Sequence, residues 1–273
     1  MKKTLALLLA GLMLIFSGCA SKPDEPVSEK AELVIFAAAS MQETLTELQP
    51  LFEANHPGVK LIFSFDSSGT LKTQIQEGAL CDIFISAGQK QVDQLDIEAG
   101  EEKNPDGLDF ILAGSRMNLL ENRVTLCVPE GDSKVSSFDD LAALLKDGSI
   151  LLCMGNSDVP VGQYTQKILQ HYGLEEEALA AAGCITYASN VKEVTTQVTQ
   201  GSVDAGVIYC TDAFSAGLTP VDYATKGMCG QIIYPAAVIN TSLQQELAME
   251  YLEFLQSAEA MEVFEKVGFS PVN

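Results

Sequence analysis

Four short stretches of this chain carry residues suited to holding a small anion. They are Ala37-Ala38-Ala39-Ser40, Phe65-Asp66-Ser67-Ser68-Gly69-Thr70, Asp158-Val159-Pro160-Val161-Gly162-Gln163-Tyr164 and Ser189-Asn190-Val191-Lys192. Each lies where an apolar, strand-like run gives way to a helical pattern. A helix starting at such a junction presents unpaired backbone N–H groups and the positive end of its dipole, and both attract an anion. Serine hydroxyls add donors, and small residues let an oxygen approach the amides closely. Taken singly, each stretch also has a purely structural reading. Ser40 with Glu43 and Asn190 with Glu193 are capping-box pairs, Ser67-Ser68-Gly69 is a turn, and Pro160 suits the first position of a helix. The four together point to a ligand.

Catalytic alternatives lack their residues. The chain has two histidines, His56 before Pro57-Gly58 and His171 on a charged helical stretch. No GxSxG, GxGxxG, Walker A or HExxH pattern occurs, which leaves nucleophilic, dinucleotide and zinc-hydrolase chemistry without support. With 37 acidic against 16 basic residues the formal charge is −21, so nucleic acid and anionic membrane are excluded as main partners. Tryptophan is absent, which argues against an aromatic platform for sugars. Beyond Cys19, six cysteines remain at 81, 127, 153, 184, 210 and 229, with no CxxC or Cys/His spacing for a metal. Cys127, Cys153 and Cys210 lie in strand-like runs, where a free thiol behaves as a small hydrophobe. Mostly buried free thiols are expected, with one or two bridges left open. An enzyme using Cys210 as nucleophile remains as a remote alternative, with no base assigned to it.

Positioning the four junctions requires a regular alternation of strands and helices, and the chain has one. Strand-like runs at 33–38, 59–65, 82–86, 123–128, 150–154, 185–188, 205–210 and 232–240 alternate with helical patterns. The first of those helices, from Met41 to about Asn55, contains Pro50 and is expected to kink or divide there. Such alternation implies an α/β protein with mostly parallel sheets covered on both faces. In open sheets of this kind ligands bind beyond the carboxyl ends of the strands, where the four junctions lie. The units fall into two sets on either side of Leu119–Arg123, and the last stretch is free to return to the first set.

The N-terminus carries an address. Lys2-Lys3 precede a short apolar run, Thr4 to Phe16, too short to span a bilayer comfortably, and this reads as an export signal. It ends in Phe16-Ser17-Gly18-Cys19, which resembles a bacterial lipobox and implies lipidation of Cys19. The polar, proline-containing stretch that follows suits a tether.

Several segments, in order, resemble the molybdate-binding proteins that serve ABC importers. They are Phe36-Ala-Ala-Ala-Ser40-Met, Phe63-Ser-Phe-Asp-Ser-Ser68-Gly-Thr-Leu71, Gln74 to Ala87, Val159-Pro-Val-Gly-Gln-Tyr164, Gly206-Val-Ile-Tyr-Cys-Thr-Asp212 and Val267-Gly-Phe269. The resemblance implies a two-lobed fold of the type II periplasmic-binding-protein kind, with the ligand in the inter-lobe cleft. It implies an oxyanion, molybdate or tungstate, held by Ser40, Ser68, Val161, Val191 and Tyr209, with molybdenum contacted only as its oxyanion, and no cofactor or catalytic residue. The expected partition is a signal at 1–18, a lipidated tether at 19–31, lobe one at 32–118 with 234–273, and lobe two at 119–233. The expected partners are the permease subunits of an ABC importer and, through the lipid, the outer face of the cell membrane; the protein itself is expected to be monomeric. Sulfate, phosphate or a small organic acid is the alternative ligand. Asp66 decides between them, because an inward-facing carboxylate disfavours a bare dianion and welcomes a protonated one.

Overall fold

The structure is a computed structural model that describes residues 30–131 and 134–272. Cys19, the signal and most of the tether lie outside the described residues.

The chain opens with β1 (Ala31–Ala38), α1 (Gln42–Asn55), β2 (Val59–Asp66), α2 (Ser68–Gln76), β3 (Ile83–Ile85), α3 (Gln89–Asp93) and β4 (Met117–Asn122). It then builds β5 (Val124–Cys127), α4 (Phe138–Lys146), β6 (Leu152–Gly155), α5 (Pro160–His171) and α6 (Glu176–Ala181). Next come β7 (Ile185–Ala188), α7 (Val191–Thr199), β8 (Ala205–Tyr209), α8 (Cys210–Ser215), β9 (Asp222–Tyr223) and α9 (Lys226–Cys229). The chain closes with β10 (Ile232–Val238), α10 (Gln245–Leu255) and α11 (Ala258–Val267).

Two five-stranded sheets result, in the orders β2-β1-β3-β10-β4 and β7-β6-β8-β5-β9. In each, three neighbouring strands are parallel and the strand that enters from the other lobe, β10 or β5, runs antiparallel. The sheets are therefore mixed. The parallel strands are buried apolar runs such as Leu33 to Ala38 and Ala205 to Tyr209, which is what a sheet covered on both faces requires.

Two expectations need correction. Met117–Asn122 pairs with β10 in the first sheet, Asn122 lying opposite Ile232. The first crossing between lobes is thus at Asn122–Arg123 rather than after residue 118, and the return is at 230–231 rather than after 233. The reason is that Met-Asn-Leu-Leu-Glu-Asn lacks clean alternation, and its strand form comes from its partner in the sheet. Second, α1 runs unbroken through Pro50. Pro50 is exposed, so the ladder bond it forfeits faces water, while Thr44, Leu45, Leu48 and Phe52 pin the buried face. All six described cysteines are free and buried.

Candidate ligand site between the lobes

The parallel strands of both sheets point their carboxyl ends at one cavity. Its walls are Ala38, Ala39, Ser40, Asp66, Ser67, Ser68 and Ala87 from lobe one, and Val159, Pro160, Val161, Val191 and Tyr209 from lobe two. All five residues singled out in the sequence are there. The space between the walls is about 210 Å³, open water at its mouth included. Among the described residues none that lines it is a lysine or arginine, and the one lining charge is Asp66.

Local sequence explains how each donor arrives. A 3₁₀ turn at Ala39–Met41 intervenes between β1 and α1, and Met41 takes the N-cap position without a side-chain bond. Ser40 is therefore not a cap, contrary to its structural reading; its hydroxyl lies 2.8 Å from that of Tyr234. Ser67 does cap α2, accepting the Thr70 N–H at 3.1 Å. That leaves Ser68 in the first turn, where its hydroxyl oxygen accepts the Ala87 N–H at 3.0 Å and its own proton remains to give. Pro160 opens α5, and Val161 follows with an amide that the helix ladder does not reach. Asn190 caps α7 through the Glu193 N–H at 3.1 Å, placing the Val191 amide at the same kind of position.

Close backbone approach sets the spacing. A Cβ on Gly162 would lie 2.3 Å from the carbonyl oxygens of Gly155 and Asn156, so only glycine lets α5 begin against the end of β6. A Cβ on Gly69 would lie 2.2 Å from the carbonyl oxygen of Asp158, which belongs to the other lobe. The lobes are in contact at this point.

Tyr209 ends β8, is buried, and donates to the Ala87 carbonyl across the lobes at 3.5 Å. Burial, reinforced by Tyr234, pushes its phenol well above its ordinary range, so it stays a donor. Asp66 lines the cavity, and its Oδ1 accepts the Ser67 N–H at 2.7 Å. At the rim, Lys192 bridges the lobes: its Nζ donates to both carboxylate oxygens of Glu43 on α1 at 2.8 Å. The same Nζ is 3.2 Å from Asp212 Oδ1 on α8. Asp212 is fully buried and its oxygens accept no well-aligned hydrogen bond among the described residues, so Lys192 is its compensating charge. Cys210 is not a wall residue; its thiol donates to Asn122 Oδ1 at 3.1 Å.

The sequence did not single out Tyr234 or Asn122. Asn122 Nδ2 donates to Tyr234 at 3.1 Å, and both side chains are buried. Tyr234 sits in an apolar strand where nothing distinguishes it from core, and Asn122 falls at the crossing whose position was misjudged.

Two α/β lobes joined by two crossing strands, meeting around a small cavity of neutral donors, define a hinged solute-binding protein. The chain belongs to the family described as bacterial extracellular solute-binding protein, whose model matches residues 33–270. A Bacillus subtilis (strain 168) protein with the provisional name ABC transporter substrate-binding lipoprotein YvgL is 35% identical over 276 residues, covering 99% of each chain. The molybdate-binding protein ModA of Mycobacterium tuberculosis (strain H37Rv) is 29% identical over 269 residues, 97% of this chain and 95% of that one. The solved periplasmic molybdate-binding protein of Azotobacter vinelandii superposes with a TM-score of 0.73 at 20% identity, covering 88% of this chain and all of the other.

Proposed function

We propose that the protein captures molybdate, and tungstate with it, outside the cell and delivers the anion to the permease subunits of an ABC importer, held at the membrane by a lipid on Cys19. The single observation that carries this reading is the composition of the cavity wall: hydroxyls and helix-start amides from both lobes, with no basic residue. Ser40 and Ser68 donate from lobe one; the Val161 and Val191 amides donate from lobe two, and so does the Tyr209 hydroxyl once its single proton turns from the Ala87 carbonyl, 3.5 Å away, to the anion. The B. subtilis relative's lipoprotein name supports the anchor, and the ModA relatives support the ligand.

Neutral donors suffice because each hydrogen bond to a charged acceptor contributes roughly 1.5–3 kcal/mol. These contributions must outweigh the desolvation of a dianion, which requires donors fixed in advance around a cavity that shuts out water. Contacts from both lobes to one anion favour the closed arrangement over any open one. Molybdate, tungstate and sulfate arrive unprotonated at neutral pH and meet donors from both lobes; against those donors a protonated phosphate would turn a donor against a donor. Size then separates the larger metal oxyanions from sulfate. Molybdenum enters as cargo, touched only through its oxygens, and no bond is made or broken.

One observation favours a second reading, a protonated oxyanion: Asp66 is among the residues that line the cavity. Its Oδ1 accepts the Ser67 N–H, and a protonated anion is the ligand a lining carboxylate would favour. A thermal-shift screen of the mature protein against molybdate, tungstate, sulfate and phosphate separates the two. At a hundredfold excess over Kd, the true ligand raises Tm by roughly 5–10 °C. A shift with phosphate and none with molybdate overturns the first reading.

A further inference from the structure

Of the three lobe-one serines in the wall, Ser40 and Ser68 sit in unlike surroundings, and the difference reveals a role for residues behind the wall. Ser68 is set as a donor by a backbone N–H. Ser40 has no such neighbour; its partner is the hydroxyl of Tyr234, which could in principle give or take the shared proton.

We propose that Asn122 and Tyr234 form a hydrogen-bond relay that commits the Ser40 hydroxyl to donate into the cavity, and that they are positioning residues selecting fully deprotonated oxyanions. The chain of donors can be followed atom by atom. Asn122 Oδ1 accepts the Arg123 N–H at 2.7 Å and the Cys210 thiol at 3.1 Å. Turning the amide over would set its NH₂ against a backbone N–H, so its orientation is fixed. The NH₂ then donates to Thr211 Oγ1 and to the Tyr234 hydroxyl oxygen, both at 3.1 Å. With one lone pair of that oxygen filled, Tyr234 is biased to give its own proton, and Ser40 Oγ lies 2.8 Å away. A phenol is more acidic than an alcohol and is the better donor of the pair. Burial also keeps Tyr234 protonated, pushing its phenol well above the ordinary range. Ser40 Oγ accepts, and its proton is left for the cavity it lines. Ser40 and Ser68 thus both present hydrogen to the cavity, which disfavours an incoming O–H at either.

This inference rests on the oxyanion reading above, and its test separates the two. Molybdate and phosphate are titrated by calorimetry into the unmodified protein, Ser40→Ala, Tyr234→Phe and the double variant, each first shown to melt cooperatively without ligand. Tyr234→Phe should weaken molybdate about tenfold and narrow the molybdate-over-phosphate preference about as much, because Ser40 is then free to turn and accept. In the Ser40→Ala background it should cost less than about twofold, since the relay has lost its end. An unchanged preference, or an equal loss in both backgrounds, overturns the relay. Should the unmodified protein bind no molybdate, the functional reading falls and the relay is judged without ligand, by the NMR signal of the Tyr234 hydroxyl proton. Ser40→Ala must shift that proton more than Tyr209→Phe does. The reverse order would place the proton on Tyr209 and overturn the relay; the same measurement decides if Tyr234→Phe fails to fold.

Discussion

Replacing Gly69 by alanine should separate binding from stability. Gly69 lies in the first turn of α2 with a helical backbone, so alanine fits its conformation and favours the helix by up to about 1 kcal/mol. The new methyl carbon, however, would sit 2.2 Å from the Asp158 carbonyl oxygen. Carbon and oxygen rest no closer than about 3.3 Å, so the lobes must part by roughly 1 Å. Asp158 cannot yield alone. Its N–H is bonded to Asn156 Oδ1 at 2.9 Å, the next N–H to the Asn156 carbonyl at 3.1 Å, and α5 begins directly after. The displacement therefore carries Val161 with it, and a hydrogen bond near 2.9 Å lengthened by 1 Å is effectively broken. Losing one charge-assisted bond and straining the other lobe-two donors should weaken molybdate on the order of 100-fold. Calorimetric titration gives the affinity, and a melt without ligand gives the stability, expected to be unchanged or higher. A Gly69→Ala protein binding within about threefold of the unmodified one would refute the view that this contact gauges closure.

The rim ion pair should act on release rather than capture. Glu43→Gln should raise the molybdate dissociation rate about two- to fivefold in stopped-flow displacement, because the Lys192–Glu43 bridge is half exposed and worth at most about 1 kcal/mol. Asp212 should give the fold a pH dependence. Burial pushes its carboxyl up to about 6 despite the attraction of Lys192, so its contribution to stability is complete below its ordinary value near 4 and is lost as pH rises through about 6. Asp212→Asn lacks that loss, and its stability relative to the unmodified protein should rise between pH 4 and 7 by on the order of 3 kcal/mol, read from denaturant melts. A difference that stays flat across that range would contradict this. Finally, added salt should speed molybdate association, since it screens repulsion from a chain of charge −21, and should leave dissociation nearly untouched.

The lobes and the four junctions around the cavity were legible because both rest on local rules. Alternating buried strands and capped helices are written in runs of about ten residues, and the junctions follow from where helices start, while the choice of Ser68, Val161 and Val191 within them is what the family resemblance implies. Ser40 shows where local rules stop. Its spacing to Glu43 matches a capping box, yet a 3₁₀ turn sets α1 to begin beyond Met41 and frees the hydroxyl for Tyr234, 194 residues away. Asn122 and Tyr234, 112 residues apart, meet only because β4 and β10 are neighbours in the sheet. No pattern within either segment encodes that pairing. The crossing was misplaced for the same reason, since β4 owes its strand form to β10.

A strongly acidic chain that is to hold a dianion without a cation, as proposed, has to keep two electrostatic scales apart. The net charge acts through water, where at physiological salt it fades over about 8 Å, and so governs how often an anion arrives. The donors act at hydrogen-bond distance inside a cavity walled by buried strands and helix starts, where the effective dielectric is low and each dipole counts for more. A lysine in that wall would raise affinity for every anion alike, protonated or not, because a point charge has no preference about where protons sit. Hydroxyls and amides with fixed hydrogens do. Ser68 held by Ala87, and Ser40 held through Tyr234 by Asn122, turn a general attraction for negative charge into a demand for bare oxygen. On the proposed reading selectivity comes from hydrogens held in place rather than from a cation, and the residues that fix proton positions matter as much as those that touch the ligand.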